Sequence, residues 1–175
     1  MHSMAPYVLP RRGEHLLPMD IRVGPAGVSY ADPAQDKAAR DEDGILWAVC
    51  GGPFTGAAEY AAELHPERER ETMQALRCAG GKEHEADRDD RGMLWLLPLL
   101  DHAEDTVWEG VRTVVPPMCG FCADAAKVLC PRLREGHVEL RVREAEKVGV
   151  RGTLYPREGS AARDSRTRTT PRQEP

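Results

Sequence analysis

The chain has 175 residues, 41% of them hydrophobic and 30% charged, which is enough to bury one core of ordinary size. No stretch approaches about eighteen uncharged apolar residues, and Pro10, Arg11, Arg12 and Glu14 break up the early apolar positions, so neither a membrane span nor a secretory h-region is expected. A net charge of −5 excludes a uniformly basic nucleic-acid binder, and five cysteines, an odd number, argue against a disulfide framework and for the cytoplasm.

Residues 1–25 hold several prolines and charges without periodicity and read as a loose arm. Val28 to Tyr30 begins a short strand. Asp41-Glu42-Asp43-Gly44 is a turn signal, and the apolar run Ile45 to Cys50 after it predicts a strand that Gly51-Gly52-Pro53 stops. Pro66 suits the first position of a helix, because its missing N–H would be unpaired there, and Glu67 and Glu69 favour the positive end. Met73 and Leu76 give this helix a narrow apolar stripe, and Gly80-Gly81 ends it with Cys78 in the last turn.

The pattern Asp-x-x-Gly-x-Leu-Trp, seen from Asp41 to Trp47, recurs from Asp89 to Trp95. Two copies of seven residues fall short of a repeat protein and predict two strands, each entered through an acidic Gly turn and each burying a Trp. Val114-Val115-Pro116-Pro117 is extended, because a residue before proline avoids the helical region. Phe121, Ala125 and Leu129, four apart, put an apolar face on a short helix that starts near Cys122 and stops at Pro131. Val138, Leu140 and Val142 alternate with Glu139, Arg141 and Arg143, the period of a half-buried strand, and a turn near 144–147 returns Val148, Val150 and Leu154 as its hairpin partner. Beyond Arg157 no aliphatic residue larger than Ala appears, so 157–175 reads as a disordered tail. The expected architecture is a single α+β domain over 26–156, small and mixed, with short strands and a C-terminal β-hairpin.

The sharpest chemical signal is Pro116-Pro117-Met118-Cys119-Gly120-Phe121-Cys122. Two prolines stiffen the approach, and Gly120 lets the backbone curl so that both sulfurs face one point. The helix starting there should favour the thiolate of Cys122. The pair is half of a tetrahedral sulfur site. Cys78, on the tight turn before Gly80-Gly81, is the first candidate for a third ligand, and His84, His102 and Cys50 are candidates for the fourth. Cys130, ahead of Pro131, reads as core. A thioredoxin-like redox role is disfavoured, because Val114-Val115 is a thin strand and the helix after the cysteines is short.

Asp101-His102 ahead of Cys119-x-x-Cys122 resembles part of the arrangement of HNH nucleases, which would imply a histidine that activates water beside a metal. Ala123 stands where that family has its second histidine, so a degenerate HNH-like endonuclease is the alternative to a noncatalytic protein. No phosphate-binding glycine loop, zinc-protease helix or serine-nucleophile elbow is present. From Lys127 onward there are 12 Lys/Arg against 7 Asp/Glu, while residues 1–126 hold 12 against 22. Arg132, Arg134, Arg141, Arg143, Lys147 and Arg151 on or beside the final hairpin would meet phosphates without reading bases, but Glu135, Glu139, Glu144 and Glu146 interrupt them. Nucleic acid or another protein is the expected partner.

From about Gly44 to Tyr155 the chain resembles a group of actinomycete proteins of uncharacterised activity found near phage-like or integrative elements. The resemblance is carried by Asp41 to Trp47, His65-Pro66, Arg77-Cys78, Asp87-Arg88 through Leu94-Trp95-Leu96, Pro116 through Cys122, Cys130 to Arg134, and Gly149 to Gly152. That group carries two Cys-x-x-Cys pairs that look like a treble-clef zinc knuckle. The resemblance therefore implies zinc held by Cys78, Cys119 and Cys122. Gly81 stands where the remaining cysteine would fall, and His84 is the residue available to complete the set.

Overall fold

A computed structural model describes residues 5–60, 63–99, 107–155 and 168–170. It shows a mixed α+β chain of short antiparallel sheets and four helices among the described residues, none long and apolar enough to cross a membrane. The chain divides into two compact units, one made of 1–15 and 50–145, the other of 16–49 and 146–175. β1 (His15–Leu16) and β4 (Cys50–Gly51) form a two-residue ladder.

The first unit is organised around β6 (Gly92–Pro98), which pairs with β5 (Arg88–Asp89) on one edge and β7 (His137–Val142) on the other. Successive side chains of a strand face opposite ways, and here both faces are buried. Leu94 and Leu96 join Cys78, Ala79, Met118, Ala123, Ala126 and Leu133 in one core cluster, while Met93, Trp95 and Leu97 form a second with Val115, Val138, Leu140 and Val142. The register Met93 to Val142, Trp95 to Leu140 and Leu97 to Val138 explains the alternation in β7, whose apolar residues extend the second cluster. The strand expected to pair with 148–154 pairs with β6 instead. A strand buried on both faces needs its edge covered, and the half-apolar β7 covers it.

Three helices complete this unit. α2 (Pro66–Ala75) carries Pro66 at its first position, with the His65 ring accepting from the Arg68 N–H, and it ends earlier than expected, at Leu76, whose φ of 50° is left-handed. α3 (Gly120–Leu129) starts two residues before the expected Cys122, with the Cys119 side chain as its cap, and α4 (Pro131–Glu135) follows directly. α3 buries Ala123 and Ala126, not the expected Phe121, Ala125 and Leu129. The cause is the cap: with both knuckle cysteines turned inward, the residues a helical turn beyond them face inward too, and Phe121 is rotated out.

Residues 5–15, part of the stretch read as a loose arm, contribute buried Val8 and Leu9 to the first unit. The N–H groups of Tyr7 and Val8 donate to the carbonyls of Gly80 and Ala79. Behind them, the Glu14 carboxylate accepts from both terminal nitrogens of Arg68 at 2.7 Å and from the Arg11 N–H at 2.6 Å. The hydrogen bonds from Arg68 hold the Glu14 carboxyl down at about 2, against the cost of its burial. The Arg11 and Arg68 guanidiniums lie 4.9 and 4.6 Å from the centroid of Phe54. A segment with no hydrophobic period is held here by ion pairing and ring contacts, which periodicity does not reveal.

The second unit has little apolar core and is held by polar latches. β2 (Ile21–Gly24) and β3 (Gly27–Tyr30) form a hairpin, and α1 (Pro33–Ala39) follows, capped by Asp32. Arg40 donates to Asp36 and to the carbonyls of Val28 and Gly44. The predicted strand from Ile45 to Cys50 is absent: Leu46 makes a single bridge to Arg40, and only Cys50–Gly51 is extended in a ladder. Asp41 accepts from the N–H of Asp43 and Ile45 and from the Trp47 indole at 2.6 Å, so it folds the segment back on itself. In the second copy of the pattern Asp89 turns to Arg91, the Trp95 indole donates to the Val115 carbonyl, and the strand proceeds. β8 (Val150–Gly152) pairs with β9 (Arg168–Thr170). The rest of the expected tail, 157–167 and 171–175, lies outside the described residues.

Candidate metal centre

Cys78 and His84 are brought together by a knuckle of backbone. The Cys78 N–H donates to the His84 carbonyl, the His84 N–H donates to the Gly81 carbonyl, and Arg77 bridges to Glu85. The extended segment expected at 114–117 runs beside it. The Ala79 N–H donates to the Pro117 carbonyl, the Met118 N–H to the Leu94 carbonyl, and the Asp87 N–H to the Met118 carbonyl. Pro116 and Pro117 are fully buried, so the approach to Cys119 is fixed from both sides. The order along the chain is knuckle, β5–β6 hairpin, helix start.

The result is a cluster in which the ligand atoms of Cys78, His84, Cys119 and Cys122 all lie within 4.8 Å of one another. His84 Nδ1 is 3.2 Å from Cys122 Sγ and 3.8 Å from Cys119 Sγ. A tetrahedral zinc ion with bonds of about 2.3 Å to sulfur and 2.0 Å to nitrogen sets its S···N edges at about 3.5 Å, so the spacing fits four-coordination. Backbone N–H groups point at the sulfurs: Gly80 and Cys119 donate to Cys78 Sγ at 3.3 and 3.1 Å, and Cys122 donates to Cys119 Sγ at 3.5 Å. Such donors stabilise thiolates and orient them toward one centre.

Burial works against those donors. It pushes the Cys78 thiol above its ordinary range. Burial, then hydrogen bonding to Cys119 and the neighbouring Cys78, pushes the Cys122 thiol up as well, so the helix end expected to favour its thiolate is outweighed. Three sulfurs this close repel as anions, and a divalent cation at their centre removes that penalty.

Of the residues singled out from sequence, Cys78, Cys119, Cys122 and His84 converge. Cys50, an alternative fourth ligand, sits in β4 outside the cluster, and Cys130 packs against the core as expected. His102 and Asp101 lie outside the described residues. Ala123, where a nuclease of the HNH type has its second histidine, is 1% exposed and fills the core.

Two glycines that sequence reasoning passed over, or treated as a missing ligand, are steric requirements. A Cβ on Gly80 would collide with Cβ and Sγ of Cys122. A Cβ on Gly81 would lie 2.7 Å from Cγ and Nδ1 of His84. Gly81 is therefore the space the imidazole needs, and a residue with Cβ there would compete with His84 for the fourth vertex. The sequence signal is Gly80-Gly81, which by itself marks a helix stop or a missing ligand as readily as room for a ring.

Of the six basic residues grouped on a final hairpin, Arg132, Arg134, Arg141 and Arg143 belong to the first unit and Lys147 and Arg151 to the second. Arg141 is committed to Asp87 at 3.1 Å and Asp89 at 3.5 Å, and Lys127 to Asp124 and Glu139. No protein family, curated protein or solved structure matches the chain.

Proposed function

We propose that the protein is a noncatalytic scaffold in which one zinc ion, held by Cys78, His84, Cys119 and Cys122, braces the first unit for binding to another protein. The observation that carries this reading is the convergence of three sulfurs and one imidazole nitrogen at tetrahedral spacing. Thiolate and imidazole donors suit zinc and disfavour magnesium or calcium, which take oxygen ligands. All four positions are filled by the protein. A catalytic zinc keeps one for water or substrate, so the ligand set favours a structural ion.

Such an ion would tie a knuckle at 78–84 to a helix start some forty residues later, across a unit whose apolar core is small. A protein partner is favoured over nucleic acid by charge. The unit that carries the cluster holds 14 Lys/Arg against 19 Asp/Glu, a net of −5, and its central arginine, Arg141, is already paired with carboxylates.

Elemental analysis of protein purified without added metal tests the brace. One zinc per chain is expected in the parent and none in Cys119→Ser, with a lower melting temperature in the variant. Metal-free parent protein, or identical melting of the two, removes the reading.

A further inference from the structure

We infer that the centre is an oxidant-sensitive switch, in which a peroxide joins Cys122 and Cys119 in a disulfide and the zinc brace is released; this rests on the scaffold reading above and names its regulation. The three sulfurs are not equivalent. Cys78 is 1% exposed, and its Sγ accepts from the N–H groups of both Gly80 and Cys119. Cys119 Sγ accepts from one backbone donor, the N–H of Cys122, and Cys122 Sγ accepts from none among the described residues. Beside Cys122 Sγ stands His84 Nδ1 at 3.2 Å, which in the loaded centre would face the ion instead. A coordinated thiol is a thiolate at neutral pH, and each hydrogen bond to it stabilises the anion and lowers its nucleophilicity. Cys122 therefore keeps the most reactive sulfur. Cys119 and Cys122 are also only half-buried, and Phe121 between them is 69% exposed, so the pair lies within reach of a molecule as small as hydrogen peroxide.

The chemistry takes two steps. The Cys122 thiolate attacks one oxygen of hydrogen peroxide. A sulfur–oxygen bond forms, the oxygen–oxygen bond breaks, and the departing hydroxide takes a proton from solvent to become water. The Cys119 thiolate then attacks the Cys122 sulfenic sulfur. A sulfur–sulfur bond forms, the sulfur–oxygen bond breaks, and a second hydroxide leaves and is protonated to water. The two sulfurs together lose two electrons and the peroxide gains them. Cys119 caps α3 and Cys122 lies in its first turn, where helical geometry sets Cα atoms three residues apart at about 5 Å, inside the about 4.4–6.8 Å that a disulfide spans.

The same bond undoes the brace. Two of the four donors are consumed, and Cys78 and His84 alone hold zinc too weakly to retain it. The disulfide encloses only Gly120 and Phe121, so it does not replace a link between 78–84 and 119–122.

The full, zinc-loaded chain is treated with hydrogen peroxide beside a chromophoric chelator, with a cyclic 1,3-dione present in parallel samples to trap sulfenic acid. One zinc should be released per disulfide formed, peptide mass mapping should find that disulfide between Cys119 and Cys122, and the dione adduct should sit on Cys122. The oxidised protein should melt with the chelator-treated parent, and a dithiol reductant with added zinc should restore one zinc per chain. Cys50→Ser, outside the cluster, should release zinc as the parent does. A disulfide that includes Cys78, an adduct on Cys119 or Cys78, or release abolished by Cys50→Ser overturns the inference. Zinc content measured before peroxide is added separates the two readings: a metal-free parent fails the scaffold and the switch together, whereas a loaded parent that keeps its zinc in excess peroxide fails the switch alone.

Discussion

Replacing Gly81 by Ala adds one methyl group at a position whose φ lies outside the left-handed region, so the backbone itself accepts the change. The cost falls on His84. The new Cβ would lie 2.7 Å from Cγ and Nδ1 of the ring and 2.9 Å from Cδ2, where ordinary contact begins near 3.4 Å. Relief requires the imidazole to withdraw by roughly 0.7 Å, several times the about 0.2 Å tolerance of a metal–ligand bond. Partial loss of one ligand in four is expected to weaken zinc binding about 100-fold, or about 2.7 kcal/mol. At fixed free zinc that deficit carries over to folding stability, because the ion binds the folded chain, and it lowers the melting temperature by roughly 10 °C. Competition with a chromophoric chelator measures the affinity, and thermal melting in zinc-buffered and in chelator-containing solution separates metal from packing. The two proteins should melt nearly together once zinc is removed. An unchanged affinity, or an equal loss of melting temperature with and without zinc, would refute the assignment of His84 to the fourth vertex.

The acidic side of the stability profile should report Glu14. Its carboxyl, held at about 2 by the hydrogen bonds from Arg68, is depressed from 4.5, so the stability it adds is present above that ordinary value and is lost as pH falls toward 2; the difference amounts to about 3 kcal/mol. Urea titrations of the parent and Glu14→Gln at pH 7 and near pH 2.5 should show a gap of that order at neutral pH that narrows in acid, and parallel profiles would contradict the network. Leu96→Ala, at a fully buried position of β6, should cost about 2–5 kcal/mol by the same titration, with the metal-binding residues untouched; a cost below 1 kcal/mol would mean that β6 is not the centre of the core.

Several parts of this protein are written locally and were legible without coordinates. The α+β class, α2 behind Pro66, β6 behind Asp89 to Gly92, and the alternating β7 each follow from a short run of residues that satisfies its own period or cap. Cys119-x-x-Cys122 at a helix start and Cys78 on its tight turn were legible as candidate ligands, whereas the fourth place stayed open between His84, His102 and Cys50 until the fold brought His84 beside the sulfurs. Tertiary structure decided the rest. It chose β6 as the partner of β7, whose half-apolar face covers an edge of that doubly buried strand. It turned Phe121 outward, because inward-facing cysteines fix the phase of α3. It pinned residues 5–15, which have no period, through Glu14, Arg11 and Arg68, and it gave the two Asp-x-x-Gly-x-Leu-Trp copies different fates according to what each tryptophan could reach. Gly81 shows the division most plainly: the sequence contains the glycine, but only the placement of the His84 ring says what its missing side chain makes room for. Local patterns determine what a segment is able to form, and the distant atoms competing for the same space determine what it does form.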